Sequence, residues 1–271
     1  AIDQRIEGNN IAHLNWGTSD AKGVTLSFHV KCSVANLVLG GALSNGNFDM
    51  TYPFTYTTNS TPNTWTKYTI YIPGPTSGTW PINNGLGIRV IFNLGSASAR
   101  LATANVWANS VARGPTGAGS LTTVVNSTFF LTGVQLEVGS VATDFEHRSF
   151  GQELDLCKRY FQTVAKGREA VGASFEYMGH GHGWGVSQAE ILLRWDKEMR
   201  TYPTLESASG TDYFSMSISG GSIEFDNWYA YGFSRRSGLL YKNLVSGFTN
   251  GSSYRAQINN ASAYVYLNAE L

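Results

Sequence analysis

The segment Gly179-His180-Gly181-His182-Gly183-Trp184-Gly185 sets two imidazoles at i and i+2 between glycines. On extended backbone alternate side chains share a face, so His180 and His182 would point the same way. A single chain then offers two ligands, fewer than a closed structural zinc site needs. Three chains around an axis would offer six nitrogens from His180 and His182, an octahedral shell suited to a transition metal. The competing readings are a loop whose His and Trp side chains touch a ligand, and a plain surface loop or hairpin tip.

The carboxylates argue against hydrolysis. Residues 50 to 136 hold no Asp or Glu, so the centre of the first half cannot supply the opposed pair that a glycosidase places across the scissile bond. Glu190, Asp196, Glu198, Glu224 and Asp226 are available later. Glu224 and Asp226 stand two apart on an apparent strand and read first as solvated charges. A nucleophile site fares no better: the chain has no Gly-x-Ser-x-Gly elbow, and its histidines are His13, His29, His147, His180 and His182. Cys32 and Cys157 have no metal or redox spacing. Gly114-Pro115-Thr116-Gly117-Ala118-Gly119 is glycine-rich but lacks the lysine and helix of a phosphate loop. The expectation is a protein that is not an enzyme.

Aromatic and amide side chains carry the other signal. Trp and Tyr faces stack on the C–H faces of sugars, while Asn, Asp and Gln bond hydroxyls. Asp226-Asn227-Trp228-Tyr229-Ala230-Tyr231-Gly232 joins both kinds in a turn-prone context, and Trp184 adds a ring. The candidate glycan-binding set is therefore Trp184, Asp226, Asn227, Trp228, Tyr229 and Tyr231. Trp65 and Trp80, flanking a strand in the first half, read as core packing.

Nineteen basic residues balance nineteen acidic ones in 271, so neither nucleic acid nor an anionic membrane would feel a net attraction. No stretch reaches the ~18 apolar residues of a membrane helix, and membrane insertion is not expected. Thirty glycines with low charged content point to an all-β chain rich in turns.

The elements that must position these residues follow from periodicity. Val24, Leu26, Phe28 and Val30 alternate with polar residues, as do Tyr68, Ile70 and Ile72 before Pro73-Gly74-Pro75. Ile88, Val90, Phe92 and Leu94 form an inward set with Arg89 and Asn93 outward, and Val134, Leu136 and Val138 another with Gln135 and Glu137 outward. Strands so spaced, without intervening helices, favour an antiparallel β-sandwich over residues 1–146. Ser149-Phe150-Gly151-Gln152 fits a capping box, and Phe150, Leu154, Cys157 and Phe161 make one apolar stripe with Cys157 as a buried hydrophobe. This predicts a linking helix within 147–163. A second β-rich unit over 164–271 follows, with strands at 191–195, 199–202, a hairpin through Gly220-Gly221, and inward sets at Tyr254, Ala256, Ile258 and at Tyr264, Tyr266.

Trp65 to Gly74, Thr76 to Trp80, and Gly133-Val134-Gln135-Leu136-Glu137-Val138-Gly139 continuing through Phe145-Glu146-His147-Arg148-Ser149-Phe150-Gly151-Gln152-Glu153-Leu154 resemble tail-fibre and receptor-binding proteins of tailed bacteriophages. Leu156-Cys157-Lys158-Arg159-Tyr160-Phe161, Met199-Arg200 with Pro203-Thr204, and the ending Ala269-Glu270-Leu271 join the resemblance, which is strongest over 130–161 and loosest over 165–190 and 207–260. Asp144, His29 and Thr201-Tyr202 depart from the family pattern, and His29 removes one stacking ring. The resemblance implies a virion structural protein assembled in the host cytoplasm, usually a homotrimer alongside other virion tail proteins. It implies a jelly-roll sandwich similar to carbohydrate-binding modules, a distal receptor-binding β domain, and no common catalytic site. The expected function is host attachment by binding a cell-surface polysaccharide or lipopolysaccharide without catalysis; a purely structural fibre or decoration protein and a polysaccharide depolymerase are the alternatives. The chain opens on Ala1, which leaves room for an upstream virion-attachment segment.

Overall fold

The computed structural model describes residues 1–167, 176–218, 221–243 and 245–271. The fold is all-β with one α-helix among the described residues, and the chain forms two compact units, Ala1–His147 with Leu271 and Arg148–Glu270. Among the described residues no helix is long and apolar enough to cross a membrane.

The first unit contains β1 (Ile2–Glu7), β2 (Val24–Cys32), β3 (Val38–Asn45), β4 (Met50–Thr57), β5 (Thr66–Ile72), β6 (Leu86–Asn93), the two-residue strands β7 (Leu101–Ala102), β8 (Ala108–Asn109) and β9 (Gly114–Pro115), and β10 (Phe129–Val138). A five-stranded sheet in the order β1-β6-β3-β4-β8 faces a three-stranded sheet in the order β10-β2-β5. Alternation supplies the core between them: Leu26, Phe28 and Val30 of β2 are buried with Phe54 of β4 and Ile88, Val90 and Phe92 of β6. The Phe28 ring lies 5.0 Å from Phe92 and 6.4 Å from Phe54, edge-on or tilted as aromatic quadrupoles prefer. Asn45, fully buried, turns β3 into β4 by accepting from the Asp49 and Met50 backbone N–H groups at 3.0 and 3.1 Å. Burial pushes the Tyr56 phenol well above its ordinary range, and its hydroxyl meets no hydrogen-bond partner among the described residues.

Three expectations for this unit are corrected. Asn93 is buried, because its Oδ1 accepts from the Gly95 N–H and the Ser96 hydroxyl and so folds the chain after β6. Val134 and Val138 are exposed: a bulge between Thr132 and Gln135, with Gly133 at φ 58°, breaks the alternation of β10 at Val134, while Val138, opposite Val24 in regular register with the inward-packed Leu136, is the last residue of the strand. On the other face Glu137 accepts from the Thr143 hydroxyl and N–H and from Gln135, which together hold its carboxyl below the usual glutamate range. Trp80 is core, but Trp65 is 46% exposed and lies under the Lys31 ammonium at 5.4 Å.

The second unit contains α1 (Phe150–Cys157), β11 (Phe161–Lys166), β12 (Glu176–Gly183), β13 (Gln188–Arg194), β14 (Thr204–Ser207), β15 (Phe214–Ile218), β16 (Gly221–Phe225), β17 (Tyr229–Tyr231), β18 (Ser237–Asn243), β19 (Ser253–Ile258) and β20 (Tyr264–Asn268). Seven strands form one sheet in the order β16-β15-β19-β12-β13-β18-β17, and three form another, β11-β20-β14. Ile191, Leu240, Ala256, Ile258, Phe214 and Met216 of the large sheet share a core with Val265 and Ala165 of the small one. One face of the large sheet is thereby buried and the other left open.

The Ser149 capping box forms as expected: its Oγ accepts from the Gln152 N–H at 3.3 Å and its own N–H donates to Gln152 Oε1 at 3.0 Å. The helix is not a separate joint, however, but part of the second unit, and Phe161 begins β11. Its stripe is not buried: Phe150 is 83% exposed, Leu154 43%, and Cys157 is exposed too. Residues 199–202 form no strand. Met199 is buried with its N–H donating to the Arg235 carbonyl at 2.9 Å, and the strand begins only after Pro203. In β20 the inward residues are Val265 and Leu267, while Tyr264 and Tyr266 stack at 4.5 Å on the other face. Gly220 of the expected hairpin lies outside the described residues; β15 and β16 pair with Ile218 opposite Gly221.

Candidate functional site

Gly179–Gly183 of the His/Gly segment are not a loop but the C-terminal part of β12, the central strand of the large sheet, and only Trp184 and Gly185 lie in the hairpin turn that follows. Glycine normally weakens a strand, and here it marks close approach. A Cβ on Gly181 would stand 2.2 Å from the Glu190 carbonyl oxygen and 2.9 Å from Met216 Cε, and one on Gly183 2.5 Å from the Thr249 carbonyl oxygen. With the glycines inward, His180 and His182 point outward on one face, as period two requires.

Register then assembles the open face. His182 pairs with Glu190 of β13, Glu190 with Tyr241 of β18, and Tyr241 with Tyr229 of β17. One step along, Gln188 pairs with Asn243; one step the other way, Leu192 pairs with Leu239 and Leu239 with Tyr231. Directly opposed side chains sit ~5 Å apart at Cβ, so these rows form a continuous surface. Trp184 caps it from the β12–β13 turn, which closes by its N–H donating to the Gln188 carbonyl at 2.7 Å with Gly185 at φ 82°. The result is a shallow concavity of about 480 Å³ lined by Trp184, Gln188, Glu190, Tyr231, Leu239, Tyr241 and Asn243. Trp184 is 62% and Tyr231 68% exposed, and the Tyr231 and Tyr241 rings meet edge to face at 6.3 Å. The Glu190 side chain is only 17% exposed and faces His182 Nε2 at 3.2 Å.

Of the expected glycan-binding residues, the structure brings Trp184 and Tyr231 together. Tyr229 lies beside them, its ring tilted against Tyr241 at 5.6 Å, and lines a neighbouring hollow around the edge strand β17. Trp228 is a correction. It is 2% exposed, its ring 4.8 Å from Phe225 and 6.4 Å from Phe214 inside the core, so it offers no stacking face at the surface. Asp226 and Asn227 have structural partners: Asp226 Oδ1 accepts from the Asp212 N–H at 3.1 Å, and Asn227 Oδ1 accepts from Lys242 Nζ at 2.7 Å. Tyr241, Gln188, Asn243 and the role of Glu190 went unread. Their signal is the outward alternation of Leu239, Tyr241 and Asn243 along β18.

A metal finds little support in one chain. Among the described residues no group of three or more His, Cys, Asp or Glu side chains gathers to hold one. Arg255 stands opposite His180 in the ladder, a cation where a metal would add another, and His182 is already paired with Glu190. Glu190 is the one carboxylate among the described residues lining the concavity. Glu224 is exposed on β16, and Asp226 follows that strand's end.

Comparison with family models, curated proteins and solved structures returned no match for this chain.

Proposed function

We propose that the chain binds a glycan without cutting it, as a component of a bacteriophage tail fibre that attaches to a host-surface polysaccharide or lipopolysaccharide. The observation that carries the binding half is the concavity itself: two highly exposed rings, Trp184 and Tyr231, converge with Tyr241 over amides and a carboxylate on a rigid sheet. Large amphipathic rings beside a few oriented polar groups are the usual composition of a ligand site. An exposed tryptophan without such neighbours would need no explanation. The virion half rests on the resemblance over 133–161 and on the all-β architecture. In a homotrimer three such sites would act together, so that weak single-site affinity becomes useful avidity.

The test is a glycan array and calorimetry with the full chain and Trp184→Ala. A bound glycan whose affinity falls about tenfold or more in the variant, at unchanged thermal midpoint, supports the proposal. No glycan bound by the parent chain favours the purely structural alternative. Release of reducing ends would favour the depolymerase.

A further inference from the structure

The same concavity carries a more specific chemistry, and this step rests on taking it as a ligand site. Three aromatic side chains, Trp184, Tyr231 and Tyr241, line one concavity with a single carboxylate, and no lysine or arginine lies among the described lining residues. The faces of such rings carry negative electrostatic potential and attract ammonium groups within about 6 Å of the ring centroid. Glu190 adds a full negative charge whose side chain is mostly withdrawn from water, where screening is weaker than on open surface. Its one charged neighbour within ion-pair distance among the described residues is the His182 imidazole, which neutralises it only when protonated.

Sugar hydroxyls can donate to a carboxylate, but Gln188 and Asn243 already donate and accept there, and the charge on Glu190 adds an attraction that only a cationic ligand exploits. A uronate or sialate would meet repulsion from Glu190. We infer that the concavity selects an ammonium-bearing ligand, a glycan with a free amino sugar or a quaternary ammonium substituent, over its N-acetylated counterpart.

The full chain would be titrated at neutral pH with a glucosamine oligosaccharide, with the matched N-acetylglucosamine oligosaccharide, and with tetramethylammonium chloride against sodium chloride of equal ionic strength. The expected result is a preference of about tenfold for the free amine over the acetylated oligomer. That preference shrinks as salt is added and falls to about one in Glu190→Gln. Tetramethylammonium, which is charged at every pH, should bind weakly and compete. Equal or tighter binding of the acetylated oligomer overturns the ammonium selection while leaving sugar binding standing. Tetramethylammonium bound with neither oligosaccharide upholds the ammonium site and overturns the glycan. Failure of all three probes overturns both. Should Glu190→Gln not fold, the parent chain's amine-to-acetyl ratio and its salt dependence still decide.

Discussion

Trp228 offers the sharpest check on how the second unit is built. Its ring packs edge-on against Phe225 at 4.8 Å and near Phe214, yet its indole N–H meets no acceptor among the described residues. Trp228→Ala removes a fully buried aromatic side chain, a change that costs ~3–5 kcal/mol where the surroundings cannot collapse. The unit Arg148–Glu270, at ~0.05–0.15 kcal/mol per residue, has roughly 6–18 kcal/mol in total. It should therefore stay folded with its urea midpoint lowered by roughly 2 M, taking an m-value of ~2 kcal/mol/M. Trp228→Phe behaves differently. It gives up part of the ring but also removes a buried donor whose lack of a partner costs ~1–3 kcal/mol, so the two changes offset to within ~1 kcal/mol. Urea unfolding of the full chain, followed by near-ultraviolet circular dichroism, measures both variants. An alanine variant within ~1 kcal/mol of the parent that nevertheless loses ligand binding would refute the placement of Trp228 in the core.

Other expectations follow from close approach and burial. Gly181→Ala should destabilise the large sheet by ~1–3 kcal/mol, because the new methyl meets the Glu190 carbonyl and Met216. Gly221→Ala, with open space around the added carbon, should stay within ~0.5 kcal/mol, and equal effects in chemical denaturation would contradict the packing. Tyr56 has a phenol pKa raised by burial, so the stability it contributes is fully present below the unfolded value of ~10 and is lost as pH rises beyond it. Tyr56→Phe should be at least as stable as the parent at neutral pH, by up to ~1–3 kcal/mol because the buried hydroxyl without a partner is gone, and should lose less stability above pH ~10; an unchanged alkaline profile would show that Tyr56 does not govern it.

Local pattern revealed those elements whose cause is local. The alternation of β5 and β19 and the Ser149–Gln152 cap depend on residues next to one another and form as read, and β2 turns its apolar set inward as read although Thr25 and Ser27 on its other face are buried too. Where a residue's role depends on distant chain, the pattern misled. Glycines flanking His180 and His182 suggest a loop until the carbonyl of Glu190 and the Met216 side chain are seen to crowd Gly181. Asn93 reads as solvated because the Gly95 N–H and the Ser96 hydroxyl that donate to it after β6 are invisible in alternation. Trp228 and Tyr229 are adjacent and chemically alike, yet one enters the core and the other faces out as β17 pairs with β18. The candidate site illustrates the same limit. Trp184 and Tyr231 were legible as exposed rings in glycine-rich context, but Glu190 and Tyr241 join them only through the register of β13 with β18.

The seven tryptophans make the central claim directly observable, since each indole N–H gives its own cross-peak in a nitrogen–proton correlation spectrum. Titrating the labelled chain with an oligosaccharide that it binds should shift the Trp184 signal, together with ring signals of Tyr231 and Tyr241, while Trp228 stays still. Saturable shifts at Trp65 with none at Trp184 would contradict the account.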